Sequence, residues 1–294
     1  MNNHYRKWMK KIALGTVQFG LDYGISNKTG KINPAEVADI LDYAFHNGID
    51  TIDTAVAYGA SESIIGSILA DKEYNFDIVS KFSSEDLSER FDYVLKSSLQ
   101  KLHSKRLKGY LAHSFDAFKQ QSLRQCLCKA KDQGLIQKIG VSVYYPEEIR
   151  WLLEKNIVFD IIQLPFNVFD QRFLSMFGDL KARNIEIHAR SIFLQGLFFM
   201  DIEDLPEHFH SVKDRLIDLQ KIADTTNIPL SALLLNHAVM QKDIDKVVIG
   251  ISRLAELREN VSAFHHKDQS RTVYRKLDSF SITDEKIILP FNWS

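Results

Sequence analysis

The sequence has little cysteine: Cys126 and Cys128 are the only two among its 294 residues. They lie two positions apart, and on a helix this spacing points the side chains to different faces. A disulfide between them is geometrically implausible, and two reduced thiols that pack inside the protein are favoured over a metal site. Because reduced thiols are typical of the cytoplasm, we expect a cytoplasmic protein that holds no metal.

Long apolar runs and an excess of charge are also missing. No run approaches the roughly 18 apolar residues of a membrane span, and the basic N-terminus, MNNHYRKWMKK, lacks the apolar segment of a secretory signal. Lys and Arg number 37 against 38 Asp and Glu, which argues against a general nucleic-acid-binding protein. We therefore expect neither a membrane nor a nucleic acid as partner.

What the sequence does contain is an alternation of short apolar runs with longer amphipathic segments. Eight such units predict an α/β protein with one domain, residues 1–294, folded as a single (β/α)8 TIM barrel. A doubly wound parallel sheet is the rival, but its usual G-x-G-x-x-G turn is absent from the 13 glycines. The predicted strands are residues 11–16, 49–53, 76–81, 107–113, 137–142, 159–164, 185–191 and 246–250.

Helical spacing of apolar residues fills most of the intervals between these runs. One further helix, residues 229–240, falls outside the eightfold count, and residues 192–211 are long for a loop. A loop of this length in a barrel usually covers the active site. The other predicted helices are residues 34–48, 88–103, 116–134, 146–156 and 170–184.

Three consecutive predicted strands end in ionisable side chains, namely Asp53, Lys81 and His113. Tyr58 follows shortly after Asp53. Each has an ordinary structural explanation, since Asp53 could cap a turn, Lys81 could be solvated and His113 could be a core histidine. In a barrel, however, the carboxyl ends of all strands meet at one mouth. The combination therefore favours an acid–base centre.

These four groups make chemical sense together. A phenol has a pKa near 10, and a nearby ammonium favours the phenolate and lowers that pKa. Asp53 would keep Lys81 charged and aimed, and His113 could orient a carbonyl or share the proton. Such a centre polarises a carbonyl group, and no serine stands in a G-x-S-x-G elbow to suggest a nucleophile instead.

Five segments resemble the aldo-keto reductases, and the opening LGTVQFGLDYGI (residues 14–25) resembles bacterial members of that family. The resemblance covers roughly residues 11–263 and implies a catalytic tetrad of Asp53, Tyr58, Lys81 and His113, with Tyr58 as the general acid. The segments are GIDTIDTAVAYGASE (48–62), VSKF (79–82), YLAHSFD (110–116), IGVSVY (139–144) and IGISRLAELREN (249–260).

The resemblance also implies a nicotinamide cofactor that lies extended across the barrel mouth without a Rossmann domain. Ser142 and Gln163 would grip the carboxamide, and Gly15 and Thr16 would pass near the same ring. The remaining implied cofactor contacts are Arg190, Ser191, Gly250, Ser252, Arg253, Glu259 and Asn260, the last four matching the segment that holds the adenosine and its 2′-phosphate.

Three positions depart from the family pattern. Val143 stands where many members have Asn, and Arg190 stands near the position of an aromatic that stacks on the nicotinamide; its planar guanidinium could stack instead. Glu256 stands where Arg or Gln often meets the 2′-phosphate. We expect a modest preference for NADPH through Arg253, weakened by Glu256, with NADH possible.

The expected function is NAD(P)H-dependent reduction of an aldehyde or ketone, with the hydride from nicotinamide C4 and the proton from Tyr58. The partner would be a small carbonyl compound, and Arg190 favours a sugar-like or anionic one. Two alternatives stay open: a cofactor-binding regulatory barrel with little turnover, and a redox-neutral sugar-modifying enzyme. Candidates to line the pocket, about half of which should be core residues, are Phe19, Tyr58, Phe82, Tyr144, Phe193, Phe198 and Phe199.

Overall fold

Eight parallel strands close into a barrel in the computed structural model, which describes residues 3–25, 30–72, 74–83 and 89–293. Each strand pairs with the next along the chain, and β8 pairs with β1, so the predicted (β/α)8 barrel is confirmed. The strands are β1 Ile12–Gly15, β2 Thr51–Asp53, β3 Asp77–Phe82, β4 Leu107–Ala112, β5 Ile136–Ser142, β6 Ile161–Pro165, β7 Glu186–Arg190 and β8 Lys246–Gly250.

Helices follow the strands and cover the outside of the barrel. Helix α3 shows why: Pro34 opens it, the Asn33 side chain accepts the Ala35 amide, and an apolar stripe from Val37 to Ala44 is buried. The α-helices are α1 Asn3–Met9, α2 Val17–Gly20, α3 Pro34–His46, α4 Ser61–Ala70, α5 Phe91–Lys101, α6 Phe115–Lys119, α7 Gln121–Asp132, α8 Pro146–Glu154, α9 Phe177–Ala182, α10 Lys213–Thr226, α11 Leu230–Val239, α12 Leu254–Ser262, α13 Lys267–Ser270, α14 Tyr274–Asp278 and α15 Glu285–Ile288.

Two predicted helices are shorter or split. Residues 116–134 form α6 and α7, because Gln120 between them is extended with φ −70° and ψ 117°. Residues 170–184 contain only a 3₁₀ turn, Leu174–Met176, and the short α9. Before that turn, the Asn167 side chain accepts the amides of Phe169 and Asp170, which holds the chain in a loop conformation.

The segment predicted as a long loop, residues 192–211, is partly ordered into 3₁₀ turns at Leu194–Phe199 and Glu207–Val212. His208 and His210 bind the backbone carbonyls of Lys286 and Leu205. The apolar side chains of this loop pack against the C-terminal residues in what we call the second core. Its members are Val168, Phe169, Leu194, Leu197, Phe198, Leu205, Phe209, Val212, Leu216, Leu219, Leu234, Leu277, Phe280, Ile287, Ile288 and Leu289.

Cys126 and Cys128 form no disulfide, and Cys126 is half-buried, whereas Cys128 is exposed. The prediction that both pack inside the protein is therefore wrong for Cys128, which lies on the outer face of α7. In the described ranges, no helix has the length and apolarity needed to cross a membrane. No group of three or more His, Cys, Asp or Glu side chains in those ranges could hold a metal ion.

Candidate active site

A cavity of about 640 Å³ opens at the carboxyl ends of the strands. Every site residue predicted from the sequence lines it except Lys81, which is fully buried behind Asp53. A depression of about 600 Å³ on the outer face of α7 contains none of the strand-end residues. The predicted residues in the cavity wall are Gly15, Thr16, Asp53, Tyr58, His113, Ser142, Gln163, Arg190, Ser191, Gly250, Ser252, Arg253, Glu259 and Asn260.

At the inner end of the cavity, Asp53 is the centre of a buried hydrogen-bond network. The Lys81 ammonium donates to Asp53 Oδ1 at 2.5 Å and to the Thr54 carbonyl at 2.9 Å. The other oxygen, Asp53 Oδ2, accepts the amide nitrogen of Gln163 at 2.7 Å. Because that N–H is already engaged, Gln163 has its carbonyl oxygen left for a carboxamide.

Tyr58 lies close to this network, with Lys81 Nζ 5.3 Å from the centroid of its ring. Burial raises the pKa of Tyr58 well above its usual value, Asp53 raises it further, and Arg190 opposes the increase. The sequence predicted the opposite direction, because it took account of the ammonium but not of the burial or the net effect of Asp53. The phenol therefore keeps its proton at neutral pH.

His113 packs edge-on against Tyr58, with ring centroids 5.7 Å apart. Burial, with the Lys81 charge adding to it, lowers the pKa of His113 to about 4. The imidazole is therefore neutral at pH 7 and has one N–H to donate and one nitrogen to accept. A neutral donor beside a phenol is suited to orienting a carbonyl oxygen.

Arg190, at the end of β7, lies in the cavity wall and packs on the ring of Tyr144. Its Cζ is 4.1 Å from the centroid of the Tyr144 ring, and its Nη2 donates to the Val143 carbonyl at 3.1 Å. Nη1 lies 3.3 Å from Ser191 Oγ. The guanidinium is thus held in place by protein contacts, with the Tyr144 ring against one face.

At the far end of the cavity, acidic side chains hold the loop that follows β8. Glu256 accepts the Ser252 amide at 2.8 Å and pairs with Arg253 Nε at 3.1 Å. Glu36 accepts the Leu254 amide at 3.0 Å, and Glu259 accepts the Ser231 hydroxyl. Arg253, which the sequence assigned to the 2′-phosphate, therefore already has a carboxylate partner.

Four of the candidate aromatic residues line the cavity: Tyr58, Tyr144, Phe193 and Phe199. The other three belong to the core, so the expectation that about half would be packing residues is confirmed. Those core residues are Phe19, Phe82 and Phe198.

Sequence reasoning missed several residues of the cavity wall, among them Gln18, Tyr23, Gln195 and Ser231. Gln195 donates to the Tyr23 hydroxyl at 2.9 Å and so joins the loops after β1 and β7. Gln18 Oε1 is buried and has no hydrogen-bond partner among the described groups. The position of Gln18, three residues beyond Gly15 at the end of β1, was the one available signal.

Comparison with known proteins agrees with this geometry. The model of the Aldo/keto reductase family matches residues 11–282. The chain belongs to this family. It is accordingly an oxidoreductase that acts on small carbonyl compounds and uses a nicotinamide cofactor.

Among the relatives of this aldo/keto reductase are two named for sugar oxidation. It is 25% identical to D-arabinose 1-dehydrogenase of Saccharomyces cerevisiae over 75% of this chain and 74% of that protein. It is 23% identical to L-galactose dehydrogenase of Arabidopsis thaliana over 75% of each. An uncharacterized oxidoreductase of Bacillus subtilis, YqkF, is 22% identical over 94% of this chain and 98% of its own.

The barrel also matches solved structures of this family. The holo form of the aldo-keto reductase AKR11C1 from Bacillus halodurans superposes with a TM-score of 0.75 over 94% of both chains. At 19% sequence identity, this likeness concerns the fold alone.

Proposed function

We propose that this aldo/keto reductase reduces the carbonyl of a small molecule, with Tyr58 as the proton donor. The observation that carries the proposal is the placement of Tyr58, neutral His113 and the Lys81–Asp53 pair at the inner end of one cavity. A bound nicotinamide dinucleotide supplies the hydride. The proton and the orientation of the carbonyl come from the protein.

The cavity wall fits a dinucleotide in shape and in chemistry. Its lining extends from Tyr58, in the loop after β2, to Asn260 on α12, and includes Gly15 and Gly250 at the ends of β1 and β8. A Cβ on Gly250 would lie 3.0 Å from Gln18 Nε2, so any larger residue would crowd that side chain. Gln18 Oε1 needs a donor, which a ribose hydroxyl or a carboxamide would provide.

Residues at the inner end of the cavity would hold the carboxamide and donate the proton. Ser142 and the free carbonyl oxygen of Gln163 would hold the carboxamide. Tyr58 would donate its proton to the substrate oxygen as negative charge develops there, and its raised pKa keeps that proton in place until then. The Lys81 ammonium, 5.3 Å from the ring centroid, would stabilise the phenolate that remains.

The substrate class that we propose is sugar-like or anionic. Arg190, Tyr23, Gln195 and Ser191 provide polar groups around the mouth, next to the exposed Phe199 ring. A polyhydroxylated carbonyl compound would hydrogen-bond to several of these groups at once, whereas a purely apolar aldehyde would use none of them. The names of the two sugar dehydrogenases support the same class.

The test is cofactor consumption by the wild-type protein and by Tyr58→Phe, with a panel of aldoses and simple aldehydes. We expect Tyr58→Phe to lower kcat by about 10²–10⁴-fold, the usual contribution of a positioned acid. The Kd for the cofactor should hardly change, because the hydroxyl acts on the carbonyl alone.

Tyr93→Phe is the matched control, since Tyr93 is exposed and lies far along the chain on α5. Undiminished turnover of Tyr58→Phe would show that another group donates the proton. Tight cofactor binding by the wild-type protein without turnover of any compound in the panel would favour a regulatory barrel instead.

A further inference from the structure

The loop after β8 presents backbone amides at the start of α12, the kind of position at which proteins bind phosphate. Here carboxylates already occupy two of them. Ser252 N donates to Glu256 Oε2 at 2.8 Å, and Leu254 N donates to Glu36 Oε1 at 3.0 Å. A phosphate arriving at this loop would have to displace two carboxylates or lie beside their charges.

The basic side chains nearby are engaged as well. Arg253 Nε pairs with Glu256 Oε1 at 3.1 Å, and the Arg253 side chain is 64% exposed. Arg258 lies over the ring of Tyr43, with Cζ 5.4 Å from the centroid. Arg253 therefore donates its Nε–H to a carboxylate, which offsets part of the charge that would attract a 2′-phosphate.

Glu256 itself lies in the cavity wall, together with Ser252, Glu259 and Asn260. A carboxylate in such a place suits a neighbouring pair of ribose hydroxyls, because both are hydrogen-bond donors and a carboxylate is an acceptor. Dinucleotide sites that bind the unphosphorylated ribose use an acidic residue in this way. The same carboxylate repels a phosphate dianion.

We propose that Glu256 is a specificity-determining residue that makes this enzyme select NADH over NADPH. Glu256, held by the Ser252 amide and Arg253, would accept hydrogen bonds from the adenosine ribose hydroxyls and would repel a 2′-phosphate. This inference rests on the proposed function, because it presumes that the cavity holds a nicotinamide dinucleotide. It replaces the sequence expectation of NADPH, which depended on a free Arg253.

The experiment is isothermal titration of the full chain with four probes: NADH, NADPH, 5′-AMP and 2′,5′-ADP. The wild-type protein should bind NADH at least about tenfold more tightly than NADPH, which corresponds to about 1.4 kcal/mol. 5′-AMP should likewise bind more tightly than 2′,5′-ADP. Because no turnover is measured, the result does not depend on the identity of the substrate.

Glu256→Gln keeps an oxygen for the Ser252 amide but removes the charge, so the loop should keep its shape. We expect its affinity for NADPH to increase about tenfold and its affinity for NADH to decrease. Glu154→Gln, an exposed site on α8, is the control and should change neither.

Tighter binding of NADPH than of NADH by the wild-type protein would overturn the inference and leave the proposed function intact. So would an unchanged or lower affinity for NADPH in Glu256→Gln. If neither dinucleotide nor either fragment bound, the proposed function would fail first, and the inference with it.

Discussion

Single buried ionisable groups make this protein sensitive to acid, and His113 is the clearest case. Its pKa is lowered from 6.5 to about 4 by burial and by Lys81. Between these two pH values the unfolded chain binds a proton that the folded protein does not, so stability falls as the pH decreases from 6.5 towards 4. Well above pH 6.5 His113 is neutral in both states, so it does not change the stability there.

We expect the free energy of unfolding to be about 2 kcal/mol smaller at pH 5 than at pH 7 because of this residue. His113→Asn should remove most of that difference, whereas His265→Asn, at an exposed site, should not. Urea denaturation at the two pH values measures it. Glu186, whose pKa is lowered from 4.5 to about 2, stabilises the protein fully above about pH 4.5 and loses that contribution only at lower pH, so it does not affect the comparison of pH 5 with pH 7.

The buried Lys81–Asp53 pair leads to a second prediction at this scale. Both side chains are almost fully buried, so Lys81→Met would leave the Asp53 carboxylate without its cation. Breaking such a pair costs about 3–5 kcal/mol, and kcat should fall as well.

The double variant Asp53→Asn/Lys81→Met separates the two effects. It should recover much of the lost stability, because no uncompensated charge remains, but should not recover kcat. Urea denaturation and turnover of all three proteins measure both quantities. Equal stability of the single and double variants would argue against a charge-pair contribution.

Among secondary-structure elements, the contact of α4 with the end of α5 depends on one glycine. A Cβ on Gly66 would lie 1.9 Å from the Lys101 carbonyl oxygen and 2.8 Å from Leu102 Cα. Backbone atoms cannot move aside as a flexible side chain can, so Gly66→Ala should destabilise the protein by about 1–3 kcal/mol or more.

Gly178 in α9 is the matched control, because a Cβ there would meet nothing within 4 Å. Gly178→Ala should stabilise the protein by up to about 1 kcal/mol through helix propensity alone. Thermal unfolding of both variants should therefore shift Tm in opposite directions. A similar shift for both would mean that α4 and α5 can separate without loss.

The elements differ in how far the sequence predicts them. All eight strands were predictable, because each is a short apolar run bounded by polar residues and followed by a helical pattern. The break between α6 and α7 was not, since Gln120 has no residue-type signal for an extended conformation. The apolar pattern alone cannot show where tertiary packing interrupts a helix.

The features of the site also differ in how far the sequence predicts them. Residue types at strand ends were enough to bring Asp53, Tyr58 and His113 into one cavity. The pKa direction of Tyr58 depends on its burial, which no spacing reveals. The Arg253–Glu256 pair has i,i+3 spacing, so its formation was open to prediction from the sequence, but its position over the Ser252 amide was not.

In the whole molecule, the second core connects the loop over the cavity to the C-terminal residues. Leu289 is fully buried there, and Leu194 and Leu197 in the same cluster lie beside the cavity residues Phe193 and Phe199. Leu289→Ala should cost about 2–5 kcal/mol and, by loosening this loop, raise KM for the substrate more than it lowers kcat.

Val158→Ala, at a position 80% exposed, is the control for this prediction and should change neither quantity. Urea denaturation and steady-state kinetics of the two variants measure the effects. An unchanged KM in a destabilised Leu289→Ala protein would show that the loop is held independently of the C-terminus.

The pairing of β1 with β8 has a consequence for the time at which the protein can finish folding during its synthesis. Ile12 pairs with Val247, and the Lys246 ammonium donates to the Lys10 carbonyl across 236 residues of chain. The first strand therefore leaves the ribosome long before its second neighbour exists. At about 5–20 residues per second, β1 waits on the order of ten seconds or more with one edge open, which makes the nascent chain a substrate for chaperones.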